Sequence, residues 1–490
     1  MKVALMLNNA DFDPKKSNTG SDVFIDLDMY RIVDAMGNND KYIADACERA
    51  LSQIMDSIDN IIYRQEAVKD VLQNQDAVLD AYNLISSACS AIEKAKRDHY
   101  WGFGSESPSS LLYSTVQLLS VEIGQLQNIK ESMEKFESQF TSRAFSSFIK
   151  RYKEKFNGQF FENARKHINI MKFSDGVSAV AYLGSGNSGI KMQLRENQKK
   201  NILTRLMDNK YTVTVDPRDL NGEKALQEIK NRYLEQVASI AYSSSENILN
   251  FLEQARIEMA FYAGTVNLYR KIRELGIKTV LPELYPYDTE KLKFKCLKNI
   301  SLAIGQNSNV VGSSLDLDGK NPIVITGSNR GGKSTFVRSI GCAAIMAQAG
   351  MFVPAEEYAS SMFYSIFTHF KREESNLTGR LDEELQRISS LIDEIRPYSL
   401  LLMNESFSST NNDEGTAIAE NIIKGLEMAN VRVFFVTFFL EFINRMNHYN
   451  NGQLLIAERE NNAARTFKIV PAMEADRGHA MDIYAEIFER

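Results

Sequence analysis

A nine-residue segment rich in glycine, residues 327–335, constrains the fold of this chain more than any other feature. It follows the pattern GxxxxGK[ST], after an apolar run at 322–326 and before a helical period at 333–348. Glycines let the backbone N–H groups of such a bend surround phosphate oxygens, and a helix that begins there points its positive end at them. The pattern predicts a strand–bend–helix unit that binds ATP or another nucleoside triphosphate.

Each position of this segment has a predicted role. Lys333 is predicted to bridge the β- and γ-phosphates, and the Ser334 hydroxyl is predicted to bind Mg²⁺. The other positions contribute mainly backbone N–H groups. The predicted nucleotide-binding residues are Gly327, Ser328, Asn329, Arg330, Gly331, Gly332, Lys333, Ser334 and Thr335.

A second motif lies where the apolar run 399–403 ends in Asn404 and Glu405. A buried strand that ends in acidic residues delivers carboxylates to a metal ion and to an attacking water. Glu405 is predicted to orient or deprotonate that water, and Glu405 and Lys333 are the predicted catalytic residues. Asn404 brings no negative charge, but its amide can accept a hydrogen bond from a Mg²⁺-bound water. The alternative is an ordinary strand followed by a turn.

The chain beyond residue 282 alternates strand-like runs with helical periods, which is typical of an α/β sheet with crossover helices. The last two runs are predicted to pair antiparallel. The predicted strands are 322–326, 363–368, 399–403, 431–437, 454–458 and 465–470, and the predicted helices are 333–348, 382–395, 415–428 and 479–490.

The chain before residue 282 is predicted to be mostly helical, over 22–36, 41–99 and 110–156. Strand-like runs at 177–183 and 190–194 flank a turn, 184–189, that matches GxGxxG, and 211–215 is a candidate third strand. A dinucleotide site requires a helix after the glycines, and a strand-like run follows instead. A hairpin is therefore predicted.

Residues 223–275 are predicted to form one long helix, bracketed by Pro217 and Pro282. Its apolar residues recur at steps of four and three, as in a helix packed along a partner. At 1.5 Å per residue it would be roughly 80 Å long. It is interpreted as a lever, and a long core helix is a compatible interpretation.

Charge is distributed unevenly along the chain. The net charge is −6, which argues against a generally basic nucleic-acid binder. Residues 141–210 nevertheless contain 14 lysines and arginines and five acidic residues. This basic region is a candidate surface for DNA, and the alternative is a solvated lysine-rich helix face. Four cysteines without a CxxC pair, and no apolar run of membrane-spanning length, predict a cytoplasmic protein with no membrane partner.

Together the motifs resemble those of MutS-family ATPases. Residues 325–335 resemble the family's TGPNxGGKST, with Ser328 where proline is usual, and 404–415 resemble its DE-x-GxGT-x-x-DG segment. Further matches concern the signature stretch, the T-H-Y/F switch and the closing strand and loop. These lie at 377–380, 436–439, 467–471 and 477–478.

The resemblance implies an α/β P-loop NTPase domain of the ABC/MutS type, residues 282–490. A mostly α-helical lever or clamp region, residues 1–281, would precede it, with a small β insertion near 174–216. It also implies ATP and Mg²⁺ as cofactors, DNA as a partner, and a homodimer in which each subunit closes over the other's phosphate loop. The candidate closing segments are 374–380 and 408–410.

Two further residues depart from the family pattern. Asn404 stands where Asp is usual, which should weaken Mg²⁺ binding, and Phe438 stands where a γ-phosphate-sensing His is usual. Slow hydrolysis, or binding without turnover, is therefore expected. The mismatch-reading domain of the family is not recognised in the sequence. Residues 160–162 fit its Phe-x-Glu letters but lie in a basic helical stretch.

Three functional hypotheses remain open at this point. The first is a DNA-binding ATPase of the MutS type that recognises DNA structure rather than mismatches. The second is an ATP-gated protein that grips a protein or ribonucleoprotein partner. The third is a nucleotide-binding pseudoenzyme.

Overall fold

The computed structural model describes residues 1–99, 107–172, 178–183, 190–195, 220–372, 380–445, 449, 451–459 and 465–472. The chain divides into two compact units. Unit 1 consists of Met1–Val3, Asp80–Gln139 and Ser146–Arg256, and unit 2 of Ala4–Leu79, Phe140–Phe145 and Ile257–Arg490. Unit 2 thus contains residues from both sides of position 281. The predicted division into a lever region, 1–281, and an ATPase domain, 282–490, stays a prediction.

Helices make up most of the described chain. In chain order they are α1 (Ser21–Asp26), α2 (Met29–Gly37), α3 (Lys41–Leu51), α4 (Ile58–Gln73), α5 (Gln75–His99), α6 (Pro108–Phe136), α7 (Arg143–Lys155), α8 (Gly158–Met171), α9 (Leu220–Glu274), α10 (Ile300–Gln306), α11 (Lys333–Gln348), α12 (Arg380–Glu394), α13 (Asn412–Met428) and α14 (Leu440–Asn444).

The strands form three sheets. In chain order they are β1 (Ser178–Leu183), β2 (Ile190–Arg195), β3 (Glu283–Tyr285), β4 (Leu292–Leu297), β5 (Ser313–Asp316), β6 (Ile323–Thr326), β7 (Glu357–Ser361), β8 (Ile366–Phe370), β9 (Leu400–Asn404), β10 (Arg432–Val436), β11 (Gln453–Arg459) and β12 (Arg465–Ala472). The described fold is therefore mostly helical with mixed α/β sheets.

The main sheet of unit 2 has six strands in the order β12-β11-β6-β10-β9-β8. Its neighbours are parallel except at the β11–β12 edge, where the predicted antiparallel pair is confirmed. Strands β6 and β10 are buried throughout, as expected of parallel strands that are covered on both faces. The helical and strand predictions from 322 to 470 agree with the structure to within three residues at each end, whereas the predicted helix 479–490 lies outside the described residues.

A second sheet of unit 2, with the order β3-β7-β4-β5, was not predicted. Its strands have three to six residues and carry lysine and serine between apolar residues, as in β4. Strands β3 and β5 have only three and four residues, too few for a period to stand out, whereas the alternation in β4 was a signal that the sequence analysis did not use. This sheet carries β5 close to β12, where the Ser313 hydroxyl accepts a hydrogen bond from the Ile469 N–H at 3.1 Å.

Three predicted helical stretches are interrupted in the structure. The predicted helix 22–36 is interrupted at Asp28, which has φ +57°. The predicted helix 41–99 is three helices, because the Ser57 hydroxyl caps α4 by accepting from the Asn60 N–H, and Asn74 ends it. Side-chain caps of this kind begin and end helices without proline or glycine. The stretch 110–156 is likewise divided between α6 and α7.

The predicted hairpin, in unit 1, and the predicted long helix, whose residues belong to both units, are confirmed. Strands β1 and β2 pair antiparallel with Leu183 opposite Ile190, whereas the turn 184–189 and the candidate strand 211–215 lie outside the described residues. Helix α9 has 55 residues. It binds α6 through a buried hydrogen bond of 2.7 Å from the Ser245 hydroxyl to Glu122. Burial raises the pKa of Glu122 to about 8.

Candidate nucleotide site

The bend at 327–332 connects the carboxyl end of β6 to the start of α11, in the predicted order. Gly327 and Gly332 have φ +115° and +94°, a backbone conformation that other residues rarely adopt. A Cβ atom on Gly331 would lie 2.8 Å from the Cβ of Ala457 on β11. Gly327 and Gly332 are therefore required by their backbone conformation, and Gly331 is required by its close packing against β11. The bend leaves the first N–H groups of α11 facing outward from the helix start.

Parallel pairing brings the two motifs of the sequence to one edge of the sheet. Val436 on β10 is opposite Ile325 on β6 and also opposite Asn404 on β9. The glycine bend comes after the end of β6, and Glu405 comes directly after Asn404 at the end of β9. Carboxyl ends of parallel strands form the ligand-binding edge of α/β sheets. Residues about 70 positions apart in sequence thus meet at this edge.

Lys333 lies inside the bend and is only 4% exposed. Its Nζ donates to the carbonyl oxygens of Gly327 and Ser328, each at 2.9 Å. The Phe438 ring lies above Nζ with its centroid at 4.4 Å. Burial lowers the pKa of Lys333, and the Glu405 carboxylate opposes that shift. A cation is therefore held at the inner surface of the bend.

Asn404 contacts the start of α11 directly. Its Oδ1 accepts a hydrogen bond of 2.7 Å from the Ser334 hydroxyl. Glu405 has φ +55°, and its N–H donates to the Val436 carbonyl at 2.9 Å. The hydroxyl, the amide oxygen and the carboxylate that the sequence singles out therefore belong to one site.

Lys333, Ser334 and Glu405 line one cavity of about 500 Å³ in unit 2. This volume is within the usual range for small-molecule sites. The polar wall contains the bend and Glu405, and the apolar wall contains Leu297, Val310, Val311 and Phe467. The predicted residues that line the cavity are Asn329, Arg330, Gly331, Gly332, Lys333, Ser334, Thr335 and Glu405, whereas Gly327 and Ser328 hold Lys333 and Asn404 holds Ser334.

Phe467 is the main cavity residue that the sequence analysis did not assign to the site. It lies on β12 with φ +59° and is 51% exposed. Its backbone is also close to Gly332, since a Cβ on that glycine would be 3.4 Å from the Phe467 carbonyl oxygen. A large aromatic between Thr466 and Lys468 was a usable signal, because an exposed aromatic on a strand suggests a ligand or partner. Val310 and Val311 also line the cavity.

The backbone that follows Glu405 is held by buried polar contacts. The Ser406 hydroxyl donates to the His369 carbonyl at 2.8 Å, so its oxygen is free to accept from His369 Nδ1–H at 2.7 Å. Nε2 then accepts from Arg387 at 3.3 Å. Burial, together with the Arg387 charge, lowers the pKa of His369 to about 3. His369 is thus a neutral support for the segment after Glu405.

Of the proposed closing segments, 408–410 is described and 374–379 lies outside the described residues. The Ser409 hydroxyl donates to Glu384 at 3.0 Å, and the same carboxylate accepts from the Phe407 N–H at 3.0 Å. The hydroxyl of Thr410 donates to Glu414 at 2.5 Å. These contacts order the segment within its own subunit.

The described part of the basic region within unit 1 includes most of α7, all of α8 and the hairpin β1–β2. The exposed basic residues on or directly after α7 and α8 are Lys150, Lys155, Arg165, Lys166 and Lys172. The ammonium of Lys153 pairs with Glu137 at 2.7 Å. Phe161 is buried, and Phe160 packs edge-on against Phe161 at 5.4 Å, which supports a packing role for this pair.

Among the described helices, none combines the length and apolar character needed to cross a membrane.

Family models match two parts of the chain. The MutS2 N-terminal domain matches residues 56–275, and MutS domain V matches residues 323–485. The second match contains the bend, Asn404, Glu405, Phe438 and Phe467.

Curated relatives agree with these matches. DNA mismatch repair protein MutS of Thermotoga neapolitana is 33% identical over 170 residues, which are 34% of this chain and 21% of the relative. MutS of Thermosipho melanesiensis is 24% identical over 341 residues, 66% of this chain and 40% of the relative. DNA mismatch repair protein MSH3 of Coccidioides immitis is 30% identical over 146 residues, 29% of this chain and 13% of the relative. The chain thus matches well under half of the length of each.

Proposed function

Because the chain belongs to the MutS family, we propose that it is an ATP-binding protein with a P-loop site, and that ATP controls its binding to DNA. The observation that carries the proposal is the meeting of Lys333, Ser334 and Glu405 at the edge of one cavity. The proposed division is an ATPase region at 282–490 and a lever or clamp region at 1–281.

The residues present fit a nucleotide. The glycine bend and the start of α11 offer backbone N–H groups, and Lys333 offers a cation to the phosphates. The apolar wall with Phe467 and Val310 offers a flat surface to a base, because aromatic rings stack on planar ligands. The polar wall would thus hold the phosphate end and the apolar wall the base.

The residues also fit Mg²⁺. Within the described ranges, no group of three His, Cys, Asp or Glu side chains is placed to hold a metal ion. Magnesium at nucleotide sites is commonly held by one or two protein groups together with phosphates and waters. The Ser334 hydroxyl would bind the ion directly and Asn404 through a water. When bound, Mg²⁺ neutralises charge on the phosphates.

Hydrolysis is the finer part of the proposal. Glu405 has the position and chemistry of a general base, since it lines the cavity and its backbone is anchored to β10. Asn404 supplies no charge to the metal site, so turnover is proposed to be slow. Lys333 holds the phosphates and stabilises developing negative charge.

DNA is the proposed partner because exposed cations cluster on α7 and α8. We propose a homodimer in which 374–380 and 408–410 of one subunit close over the other's phosphate bend. ATP would make contacts that exist only in the closed dimer, so ATP binding would raise the population of the closed form. The affinity for DNA would then change with the population of that form. Recognition of DNA structure rather than mismatches is the specific form of this proposal.

A salt titration tests DNA binding directly. Fluorescence anisotropy would follow duplex, mismatched and branched DNA at several salt concentrations, with and without ATP. The double variant Lys150→Ala/Lys155→Ala should lower the slope of log affinity against log salt by about two. The matched control Lys41→Ala/Lys69→Ala removes two exposed lysines of unit 2 and should leave the slope unchanged. Binding that does not depend on salt, or no binding to any DNA, would refute the DNA proposal.

The net charge of −6 and the pair Asn404 and Phe438 favour a second candidate, an ATP-gated switch for a protein or ribonucleoprotein with weak or no hydrolysis. A partner captured with ATP and retained after nuclease treatment would support it. Phosphate release that is abolished by Lys333→Ala would exclude its pseudoenzyme form.

A further inference from the structure

The ammonium of Lys333 has only one direction left for a ligand. An ammonium group has three N–H donors. Two of them are directed at the Gly327 and Ser328 carbonyl oxygens, at 2.9 Å each. The face of the Phe438 ring lies over the same nitrogen, with the centroid 4.4 Å away. The negative face of an aromatic ring attracts a cation and repels an anion. Two carbonyl oxygens and the ring thus surround the ammonium, although Phe438 is not among the residues that line the cavity. A phosphate oxygen that contacts Nζ has to compete with them.

The backbone on both sides of Phe438 is anchored, although its ring is not. The Thr437 N–H donates to the Ile325 carbonyl at 3.1 Å, and the Phe439 N–H donates to the Thr437 hydroxyl at 3.2 Å. Phe439 is 4% exposed, and a Cβ on Gly415 would lie 2.5 Å from its ring. Phe438 itself is 41% exposed. Its ring can thus rotate toward solvent without repacking of the core.

Building on the proposed nucleotide site, we propose that Phe438 is a specificity-determining residue that competes with the terminal phosphate of ATP for Lys333. A γ-phosphate that contacts Lys333 must displace the ring from the ammonium, and the lost cation–π attraction reduces the gain from that contact. ADP has no γ-phosphate, so it leaves more of the ring contact intact. Phe438 consequently lowers the ratio of ATP affinity to ADP affinity.

This role requires the π face and not only apolar bulk. Phe438→Leu keeps an apolar side chain and removes the ring, whereas Phe438→Tyr keeps the ring. Phe438→Trp strengthens the attraction, because Trp is the best cation–π partner. The three variants therefore separate the effect of the ring from the effect of size.

Titration calorimetry with ATP and with ADP, each with Mg²⁺, would measure the two affinities for the wild-type protein and the variants. We expect Phe438→Leu to bind ATP about fivefold more tightly and ADP less than about twofold more tightly. Phe438→Tyr should match the wild type, and Phe438→Trp should bind ATP about twofold more weakly. Thermal unfolding would confirm that each variant is folded. If Phe438→Leu is unfolded, the expected weaker binding of ATP by Phe438→Trp tests the proposal instead.

Distinct outcomes overturn the two proposals. If the wild-type protein binds both nucleotides but Phe438→Leu leaves the ATP/ADP ratio unchanged, or lowers it, the role of Phe438 is refuted and the nucleotide site stands. If neither nucleotide binds to the folded wild-type protein or to any variant, both proposals fail. A matched variant on the other wall, Phe467→Leu, should weaken ATP and ADP equally, because the proposed contact of Phe467 is with the base.

Discussion

The two sides of the proposed phosphate site differ in how closely they follow the chemistry that such a site requires. On the α11 side, the bend has the glycine conformations, the buried cation and the hydroxyl that the motif requires. On the side formed by the ends of β9 and β10, an amide at Asn404 and an aromatic ring at Phe438 stand where a charge and a titratable group are usual. Of these three residues, Glu405 is the one that carries the side chain usual at its position, a carboxylate.

This difference separates binding from turnover. In the proposed function, the groups on the α11 side would hold the phosphates, so affinity should depend mainly on Lys333. The groups on the strand-end side would activate water and help to bind the metal ion, so turnover should depend mainly on Glu405 and Asn404. Substitutions on each side should therefore change different quantities, and the following predictions test that separation.

The largest effect should come from Glu405→Gln. The amide cannot accept a proton from water, and a positioned general base contributes at least about a hundredfold to rate. We expect steady-state phosphate release to fall by that factor while ATP affinity stays within about twofold. Glu441→Gln, on the exposed surface of α14, is the matched control and should keep the wild-type rate. An unchanged rate in Glu405→Gln would remove Glu405 from the catalytic role.

Lys333→Met should come next, because it removes a charged donor from the α11 side and keeps an unbranched side chain. A charge-assisted hydrogen bond contributes about 2 kcal/mol, which corresponds to roughly thirtyfold in ATP affinity. Calorimetry would measure it, with Lys424→Met on the exposed face of α13 as the control. If both variants bind ATP as the wild type does, the α11 side is not the phosphate side.

The His369 support of the strand-end side should make stability depend on pH. The pKa of His369 is about 3 in the folded protein and about 6.5 when unfolded, so the unfolded chain takes up a proton first as pH falls. Stability from this group is present above pH 6.5 and decreases below it, by about 1.4 kcal/mol from pH 7.5 to 5.5. Urea unfolding should show that His369→Gln lacks this part of the pH dependence. An equal slope in both proteins would contradict the prediction.

Asn404→Asp should have the smallest effect and the opposite sign. A carboxylate beside Ser334 adds a negative charge to the metal site, so half-maximal phosphate release should need about fivefold less Mg²⁺. Asn412→Asp adds the same charge at the exposed start of α13 and serves as the control. The same Mg²⁺ requirement in all three proteins would show that Asn404 does not limit the metal site.

The fold could be predicted best where local pattern decides structure. The long helix α9, the hairpin β1–β2 and the alternation from β6 to β12 follow from periodicity and turn residues over short windows. The prediction failed where a single cap interrupts a helical period, as at Ser57, and where strands are short, as in the sheet that contains β4. In both cases the deciding interaction is one hydrogen bond or a partner distant in sequence.

By itself, the sequence determined the glycine bend, the strand before it, the helix after it and the pairing of Asn404 with Glu405 at a strand end. These features depend on backbone conformation and periodicity within a few residues. Tertiary structure alone decided that Phe438 covers Lys333, that Phe467 completes the cavity and that His369 supports Ser406. Those contacts join residues between 37 and more than 130 positions apart. They exist only because the strands of the main sheet, β8 and β12 included, pair in a fixed register.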